Sequence, residues 1–159
     1  MKPSRRAFLA TAASCVAAPT LAAPAAAGET VRWPEVTLLD GARWTPAAGR
    51  AQVVVFWSVT CPFCKRHNAH VDKLFRAAVD GGPQVLTVSR DRDAAAVRRY
   101  LAANAYSFPV SMNHEAMAAA LSTRRIIPLT LLVDRAGRLK QAIAGEMFEE
   151  DVMELLRLG

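Results

Sequence analysis

Two cysteines separated by two residues lie where a strongly apolar segment is followed by a helical pattern. The apolar segment covers residues 53–57, and the pair is Cys61 and Cys64. Such a segment is typical of a strand that is buried on both faces of a parallel or mixed sheet. A cysteine in the first turn of the following helix lies near unpaired backbone N–H groups and the positive end of the helix dipole. Both features favour the reactive thiolate, so the motif predicts a redox-active dithiol at a strand-to-helix junction.

The first 27 residues differ from the rest of the chain. Residues 4–9, Ser-Arg-Arg-Ala-Phe-Leu, resemble the twin-arginine export signal, and an alanine-rich stretch interrupted by Pro19 and Pro24 follows. The prolines argue against a stable transmembrane helix, and small residues favour processing after Ala27, with residues 23–25 as a second candidate. We therefore predict an export signal over 1–27, one domain over 28–159, and a periplasmic location, or a membrane-tethered protein if the signal is not cleaved. A disordered, alanine-rich tail is the alternative.

Removal of this segment would leave Cys61 and Cys64 as the remaining cysteines, because Cys15 lies within it. The two can pair only with each other or with a cysteine of another molecule. A disulfide between them closes a very short loop and restrains little chain entropy, which argues against a purely stabilising role in a non-enzymatic adaptor.

The charge balance argues against nucleic acid as a partner. The chain has 20 basic and 14 acidic residues, and three of the basic residues lie in the predicted signal, so the mature chain carries about +3. The arginine pairs at 98–99 and 124–125 are interpreted as solvated surface.

Periodicity and turn signals predict the order β, β, α, β, α, (α), β, β, α, with a parallel βαβ unit first and an antiparallel hairpin later. The predicted elements are an extended segment at 31–39, a loop at 44–49, a strand at 53–57, a helix after Cys61 with an apolar stripe through Val71, Leu74, Phe75, Ala78 and Val79, a strand at 85–88, a helix capped by Asp91 or Asp93, an extended segment at 108–110, a short helix from Asn113, strands at 129–133 and 139–144 joined by a turn at 134–137, and a last helix from Glu146 with Phe148, Val152, Leu155 and Leu156 on one face.

This order resembles the thioredoxin fold, and more narrowly the TlpA/ResA/CcmG group of exported thiol–disulfide oxidoreductases. The matching segments are residues 56–64, FWSVTCPFC, and residues 127–138, IPLTLLVDRAGR, and the resemblance covers about residues 31–158. It implies an α/β, thioredoxin-like fold, in which a mixed central sheet is flanked by helices and preceded by an N-terminal extended β segment.

The resemblance also implies the roles of individual residues. Cys61 would be the exposed nucleophile and Cys64 the buried, resolving cysteine. Pro128 would be a cis proline beside the dithiol, and it would leave the backbone of Ile127 free to pair with an incoming client. Trp57, Pro62 and Phe63 would support the site, and the redox-active disulfide would be the only redox group, with no further cofactor.

His67 departs from that group, which often has glutamate three residues after the second cysteine. Histidine titrates near neutral pH. Because His67 lies one turn beyond Cys64, it could exchange protons with the buried thiol or, as a cation, stabilise a thiolate. A solvent-facing histidine without a redox role is the alternative.

The resemblance implies a soluble, monomeric periplasmic enzyme that reduces disulfides in cysteine-containing clients, such as apocytochrome c or a copper-site protein, with electrons from a membrane reductant resembling DsbD or CcdA. The alternatives are a disulfide-donating oxidant and a Cu(I) carrier that uses the same dithiol. A peroxidase is disfavoured because the pattern around Cys61 differs from that of peroxiredoxins. A zinc site formed by Cys61, Cys64, His67 and His70 is also disfavoured, because one helix would spread these residues over about 13.5 Å, and no metal is expected.

Overall fold

The computed structural model describes residues 23–78, 81–122 and 124–158. Its elements are β1 (Val36–Thr37), β2 (Arg43–Trp44), β3 (Gln52–Trp57), α1 (Pro62–Ala77), β4 (Gln84–Ser89), α2 (Ala94–Asn104), β5 (Val110–Ser111), α3 (His114–Leu121), β6 (Leu129–Val133), β7 (Leu139–Ala144) and α4 (Glu149–Glu154), followed by a 3₁₀ turn at Leu155–Leu158.

A five-stranded mixed sheet in the order β5-β4-β3-β6-β7 forms the centre of the fold. Strand β3 pairs in parallel with β4 and antiparallel with β6. The carboxyl ends of β3 and β4 therefore lie at the same edge of the sheet as the beginning of β6, where Trp57 pairs with Ser89 and Phe56 with Leu129. This edge brings together the two segments that carry the sequence motifs.

Strand β3 is buried along its whole length, as its continuous apolar sequence predicts. Successive side chains of a strand point to opposite faces. Val53, Val55 and Trp57 accordingly pack with apolar residues of α1, α2 and α4, whereas Val54 and Phe56 pack with α3 and the N-terminal segment. Both faces of β3 are thus covered, and the two cysteines follow its carboxyl end.

The later hairpin confirms the predicted bounds of β6 and β7. Gly137 lies in the turn between them at a φ of 75°, a conformation that glycine adopts without steric cost. Asn113 precedes the short helix α3, as predicted, and Asp93 rather than Asp91 caps α2, because its carboxylate accepts a hydrogen bond from the Ala95 N–H at 2.8 Å.

The last helix begins at Glu149, three residues later than predicted, and the placement of Phe148 on its buried face is wrong. Phe148 is the N-cap residue, with an extended backbone, and its side chain is 78% exposed. Met147 is buried instead. Residues 146–148 precede the helix, so a helical periodicity extended back to Glu146 does not describe the directions of their side chains.

The N-terminal segment has less regular structure than the predicted extended run over 31–39. It consists of β1 paired with β2 and of isolated bridges from Thr30 and Leu38. Trp44, predicted to lie in a loop, belongs to β2 and packs against Trp33 with ring centroids 5.2 Å apart.

Among the described residues, Ala25 is tied to the domain by its backbone N–H, which donates to the Ala120 carbonyl at 3.1 Å. Gly28 is tied in the same way, since its N–H donates to the Leu139 carbonyl.

The twin-arginine segment and Val79 of the predicted apolar stripe lie outside the described residues, so the export signal stays a prediction. None of the helices within the described ranges has the length and apolar character needed to cross a membrane.

Candidate active site

The two cysteines form a disulfide at the beginning of α1, with Cα atoms 5.2 Å apart. Cys61 is the N-cap residue, and its Sγ accepts a hydrogen bond from the Cys64 N–H at 3.1 Å. Pro62 occupies the first helical position, where a missing N–H costs no hydrogen bond. Cys61 is partly exposed and Cys64 is fully buried, as predicted. A thiolate at Cys61 would thus be reachable from solvent and stabilised by a backbone N–H, whereas Cys64 is shielded.

The peptide bond between Ile127 and Pro128 is cis, which confirms the prediction. The Ile127 carbonyl oxygen lies 3.9 Å from the Sγ atom of Cys61. Pro128 is buried, and Ile127 is partly exposed. Residues 66 positions apart in the sequence therefore border the same sulfur atom.

Arg90 ties the loop before the cis proline to the end of β4. Its guanidinium donates to the carbonyl oxygens of Arg124, at 2.7 Å, and of Arg125. The same guanidinium lies over the Phe56 ring, 5.6 Å from its centroid. The backbone N–H of Arg90 donates to the Trp57 carbonyl. Desolvation, followed by repulsion from Arg125, lowers the pKa of Arg90. Sequence reasoning missed this residue, because its partners lie about 35 positions away.

Asp91 holds the loop that leads from β3 to Cys61. Its carboxylate accepts hydrogen bonds from the Val59 N–H at 3.0 Å, the Ser58 hydroxyl at 2.8 Å and the Ser89 hydroxyl at 2.7 Å. The Ser58 carbonyl in turn accepts from the Cys61 N–H at 3.2 Å. Asp91 was expected only as a possible helix cap, although polar residues after two neighbouring parallel strands are a usable signal for such a cluster.

His67 is fully buried, so the solvent-facing alternative is wrong. Its Nδ1 accepts a hydrogen bond from the Met147 N–H at 3.3 Å, which assigns the ring proton to Nε2, 3.1 Å from the Thr130 hydroxyl. Desolvation, followed by repulsion from His70, lowers the pKa of His67 to about 4. The imidazole is therefore neutral at neutral pH, which argues against the cationic role considered for it. Both hydrogen bonds tie α1 to elements that lie more than 60 residues later in the chain.

The remaining predicted residues, Trp57 and Phe63, differ in burial. Trp57 is fully buried in an aromatic cluster, with its ring centroid 5.1 Å from that of Tyr100 and 6.1 Å from that of Phe108. Phe63 is 56% exposed, and the Arg66 guanidinium lies 5.1 Å from its ring centroid. Trp57 thus lies in the core, whereas Phe63 lies at the protein surface.

Within residues 23–78, 81–122 and 124–158, no three His, Cys, Asp or Glu side chains lie close enough together to hold a metal ion. His70 instead lies next to the turn before α4, where its Nδ1 is 3.3 Å from the Met147 carbonyl oxygen and its Nε2 is 3.9 Å from a Glu149 carboxylate oxygen. The histidines of the Cys-x₂-Cys-x₂-His-x₂-His spacing are therefore engaged with the protein itself.

A family model described as Redoxin matches residues 26–156. The chain belongs to the Redoxin family. Among curated proteins, this Redoxin chain is 26% identical over 110 residues to the thiol-disulfide oxidoreductase ResA of Halalkalibacterium halodurans and 24% identical over 104 residues to that of Geobacillus kaustophilus. The matched segments cover 69% and 65% of this chain but only 62% and 60% of these relatives. The resemblance to the TlpA/ResA/CcmG group is thereby confirmed.

Solved structures confirm the thioredoxin-like fold of this Redoxin. StoA from Bacillus subtilis matches with a TM-score of 0.65 at 22% identity, covering 76% of this chain and 93% of StoA. A thiol:disulfide interchange protein of the thioredoxin family from Chlorobium tepidum matches with a TM-score of 0.70 at 20% identity, covering 87% and 99%. At these identities the likeness shows the fold alone.

Proposed function

We propose that this protein is an exported thiol–disulfide oxidoreductase that reduces disulfides in client proteins. The observation that carries the proposal is the placement of Cys61. Cys61 is a partly exposed residue at a helix N-terminus, and its sulfur accepts a hydrogen bond from the Cys64 N–H and borders the backbone of Ile127. The ResA relatives, which are named as thiol-disulfide oxidoreductases, support the same activity.

The reaction starts from the reduced dithiol. The Cys61 thiolate attacks one sulfur of a client disulfide, which forms a mixed disulfide and releases one client thiolate. The Cys64 thiolate then attacks the Cys61 sulfur and releases the second client thiolate, so that two electrons pass to the client and the Cys61–Cys64 disulfide remains. The released thiolates take up protons. The buried position of Cys64 favours the second step, because Cys64 is shielded from other disulfides.

Return of the protein to its dithiol form requires an external two-electron thiol reductant. We assign this role to a membrane reductant of the DsbD/CcdA type, and we place the reaction in the periplasm. The twin-arginine pattern at residues 4–9 supports export. The family resemblance favours clients that take part in cytochrome c maturation or copper-site assembly. We expect the protein to act as a soluble monomer.

The reduction potential of the Cys61–Cys64 pair tests the direction of the reaction. Equilibration with glutathione or dithiothreitol buffers, followed by alkylation of free thiols, would give this potential directly. A value below about −250 mV would support a client reductase, whereas a value near that of DsbA, about −120 mV, would make the protein a disulfide donor.

Two single variants test the division of roles. Cys61→Ser should abolish turnover, and Cys64→Ser should accumulate mixed disulfides because the resolving step is lost. The Cys61→Ser/Cys64→Ser double variant is the control for thiol-independent capture. A Cys64→Ser protein that captures no client from a periplasmic extract, under conditions in which the wild type turns over a model disulfide, would contradict the proposed roles.

A further inference from the structure

Positive charge is concentrated in the segments that surround the disulfide. Residues 58–66, 89–92 and 124–128 contain six basic residues and one acidic residue, whereas the predicted mature chain has 17 basic and 14 acidic residues in total. The rest of the predicted mature chain therefore has 11 basic and 13 acidic residues and no net positive charge. The six basic residues are Lys65, Arg66, Arg90, Arg92, Arg124 and Arg125.

Nearby carboxylates leave part of this charge unbalanced. Asp91 directs its carboxylate into the loop before Cys61, where it accepts three hydrogen bonds from neutral donors. Glu146 is bound by Arg66, with Nε 2.8 Å from its carboxylate. Lys65 and Arg125 are exposed, and neither forms a salt bridge with any residue in the part of the chain that the structure describes. These two side chains are thus available to an external anionic group.

Exposed apolar side chains accompany these two cations. Phe63 is 56% exposed between the cysteines, and Ile126 is 52% exposed directly before Ile127, whose carbonyl oxygen borders the Cys61 sulfur. One apolar and one unpaired cationic residue thus lie on each of the two chain segments that border Cys61. We call Phe63, Lys65, Arg125 and Ile126 the basic rim.

We propose that the basic rim binds an extended client segment that carries acidic side chains next to its reactive cysteine. This inference rests on the proposed function and specifies its substrate class. The apolar members of the rim contact the segment near the cysteine, and Lys65 and Arg125, one on each segment that borders Cys61, attract its carboxylates. Complementary charge of this kind mainly accelerates association and selects among partners.

A protein segment fits the basic rim better than an anionic membrane does. The rim lies on the two segments that border the sulfur that must reach a partner disulfide, and a membrane bound to the rim would cover Cys61. The Arg90 guanidinium fixes the carbonyl groups of Arg124 and Arg125, so the cis-proline side of the rim has a defined position relative to the sulfur. A defined position favours recognition of a particular segment over diffuse attraction to a charged surface.

The experiment is a single-turnover reaction of pre-reduced protein with three synthetic octapeptides. Each peptide carries one cysteine, disulfide-bonded to 2-mercaptoethanol and flanked by two Glu, two Gln or two Lys residues. The protein dithiol is oxidised to its disulfide while the peptide thiol and 2-mercaptoethanol are released, so no other reductant is needed. Acid quenching and mass spectrometry give the second-order rate constants.

We expect the Glu peptide to react about fivefold faster than the Gln peptide in about 20 mM salt, and the Lys peptide to react more slowly than both. The differences should nearly disappear in 1 M salt, where the Debye length is about 3 Å. The Lys65→Gln/Arg125→Gln variant should bring the Glu-to-Gln ratio close to one. The matched control, Arg99→Gln/Arg157→Gln, removes two exposed arginines elsewhere, on α2 and the C-terminal 3₁₀ turn, and should keep the ratio.

Equal rates for all three peptides would overturn the proposal while leaving the reductase activity intact. A ratio that falls equally in both double variants would also overturn it, because the preference would then reflect net charge alone. If none of the peptides is reduced, the proposed function itself fails and this inference fails with it. Co-sedimentation with phosphatidylglycerol vesicles that depends on Lys65 and Arg125, without a peptide preference, would assign the rim to a membrane instead.

Discussion

Polar side chains that differ in burial hold the chain segments before and after the disulfide. On one side, Asp91 binds the loop before Cys61 through three hydrogen bonds and remains partly exposed; we call this the Asp91 support. On the other side, His67 links α1 to Met147 and Thr130 and is fully buried; we call this the His67 support. The buried member shows what burial does to a titratable group, since desolvation lowers the pKa of His67 to about 4 and favours its neutral form.

The largest expected effect comes from removing the His67 support. His67→Ala leaves a cavity and a buried Met147 N–H without its acceptor, so we expect a loss of roughly 3–4 kcal/mol in the free energy of unfolding, measured by urea denaturation. His67→Gln, which can offer an acceptor and a donor, should recover part of the loss. His114→Ala, at the start of α3, is the control and should change stability by less than about 1 kcal/mol. A loss in His67→Ala no larger than in the control would mean that the imidazole does not hold these elements together.

The pH dependence of stability should reveal the same histidine. Between pH 6.5 and about 4 the unfolded chain protonates this side chain, whereas the folded chain keeps it neutral, so stability should fall as the pH is lowered through this range. At about 1.4 kcal/mol per pKa unit, the loss below pH 4 approaches roughly 3–4 kcal/mol. The free energy of unfolding, measured by urea denaturation at several pH values in this range, should depend less steeply on pH in His67→Gln than in the wild type. The same pH dependence in both proteins would show that His67 does not titrate differently on folding.

A smaller effect is expected at the Asp91 support. Asp91→Ala removes three hydrogen bonds from a site that water can partly reach, so we expect a loss of about 2 kcal/mol. The loop before Cys61 should loosen more than the fold as a whole, which amide hydrogen exchange at Val59 and Cys61 would measure. Asp93→Ala, which removes the cap of α2, is a control of similar chemistry at a different place and should leave exchange at these two amides unchanged. Unaltered exchange there in Asp91→Ala would contradict the anchoring role.

The smallest effect should occur at Phe148, next to the His67 support in sequence. Because its side chain is 78% exposed, Phe148→Ser should change stability by no more than about 0.5 kcal/mol. Met147→Ser, in contrast, removes a buried side chain and should cost several times as much. Thermal unfolding of the two variants would separate them. A large loss of stability in Phe148→Ser would mean that this side chain is buried, as its sequence pattern predicted.

The predictions from sequence succeeded where the signal is local. Neighbouring residues encode the continuous apolar run of β3, the turn that contains Gly137 and the two strands that this turn joins. The cis bond before Pro128 was expected from the family resemblance. Strands β2 and β5 are only two residues long, too short to show a periodicity. The environment of His67 and the contacts of Arg90 depend on segments 34–80 residues away, and a helical periodicity carries no information about which distant turn covers a side chain.

The strand order divides the candidate site between two parts of the chain. The cysteines follow β3, whose neighbour β4 comes next in sequence, whereas the cis proline belongs to the β6–β7 hairpin, which pairs with the other edge of β3. A chain cut between α3 and β6 would therefore yield one fragment that carries the dithiol and an open β3 edge, and a second that carries the proline loop. Reassociation of these fragments would bring the Ile127 carbonyl back to the Cys61 sulfur, which makes this fold suited to a split reporter whose thiol chemistry depends on fragment assembly.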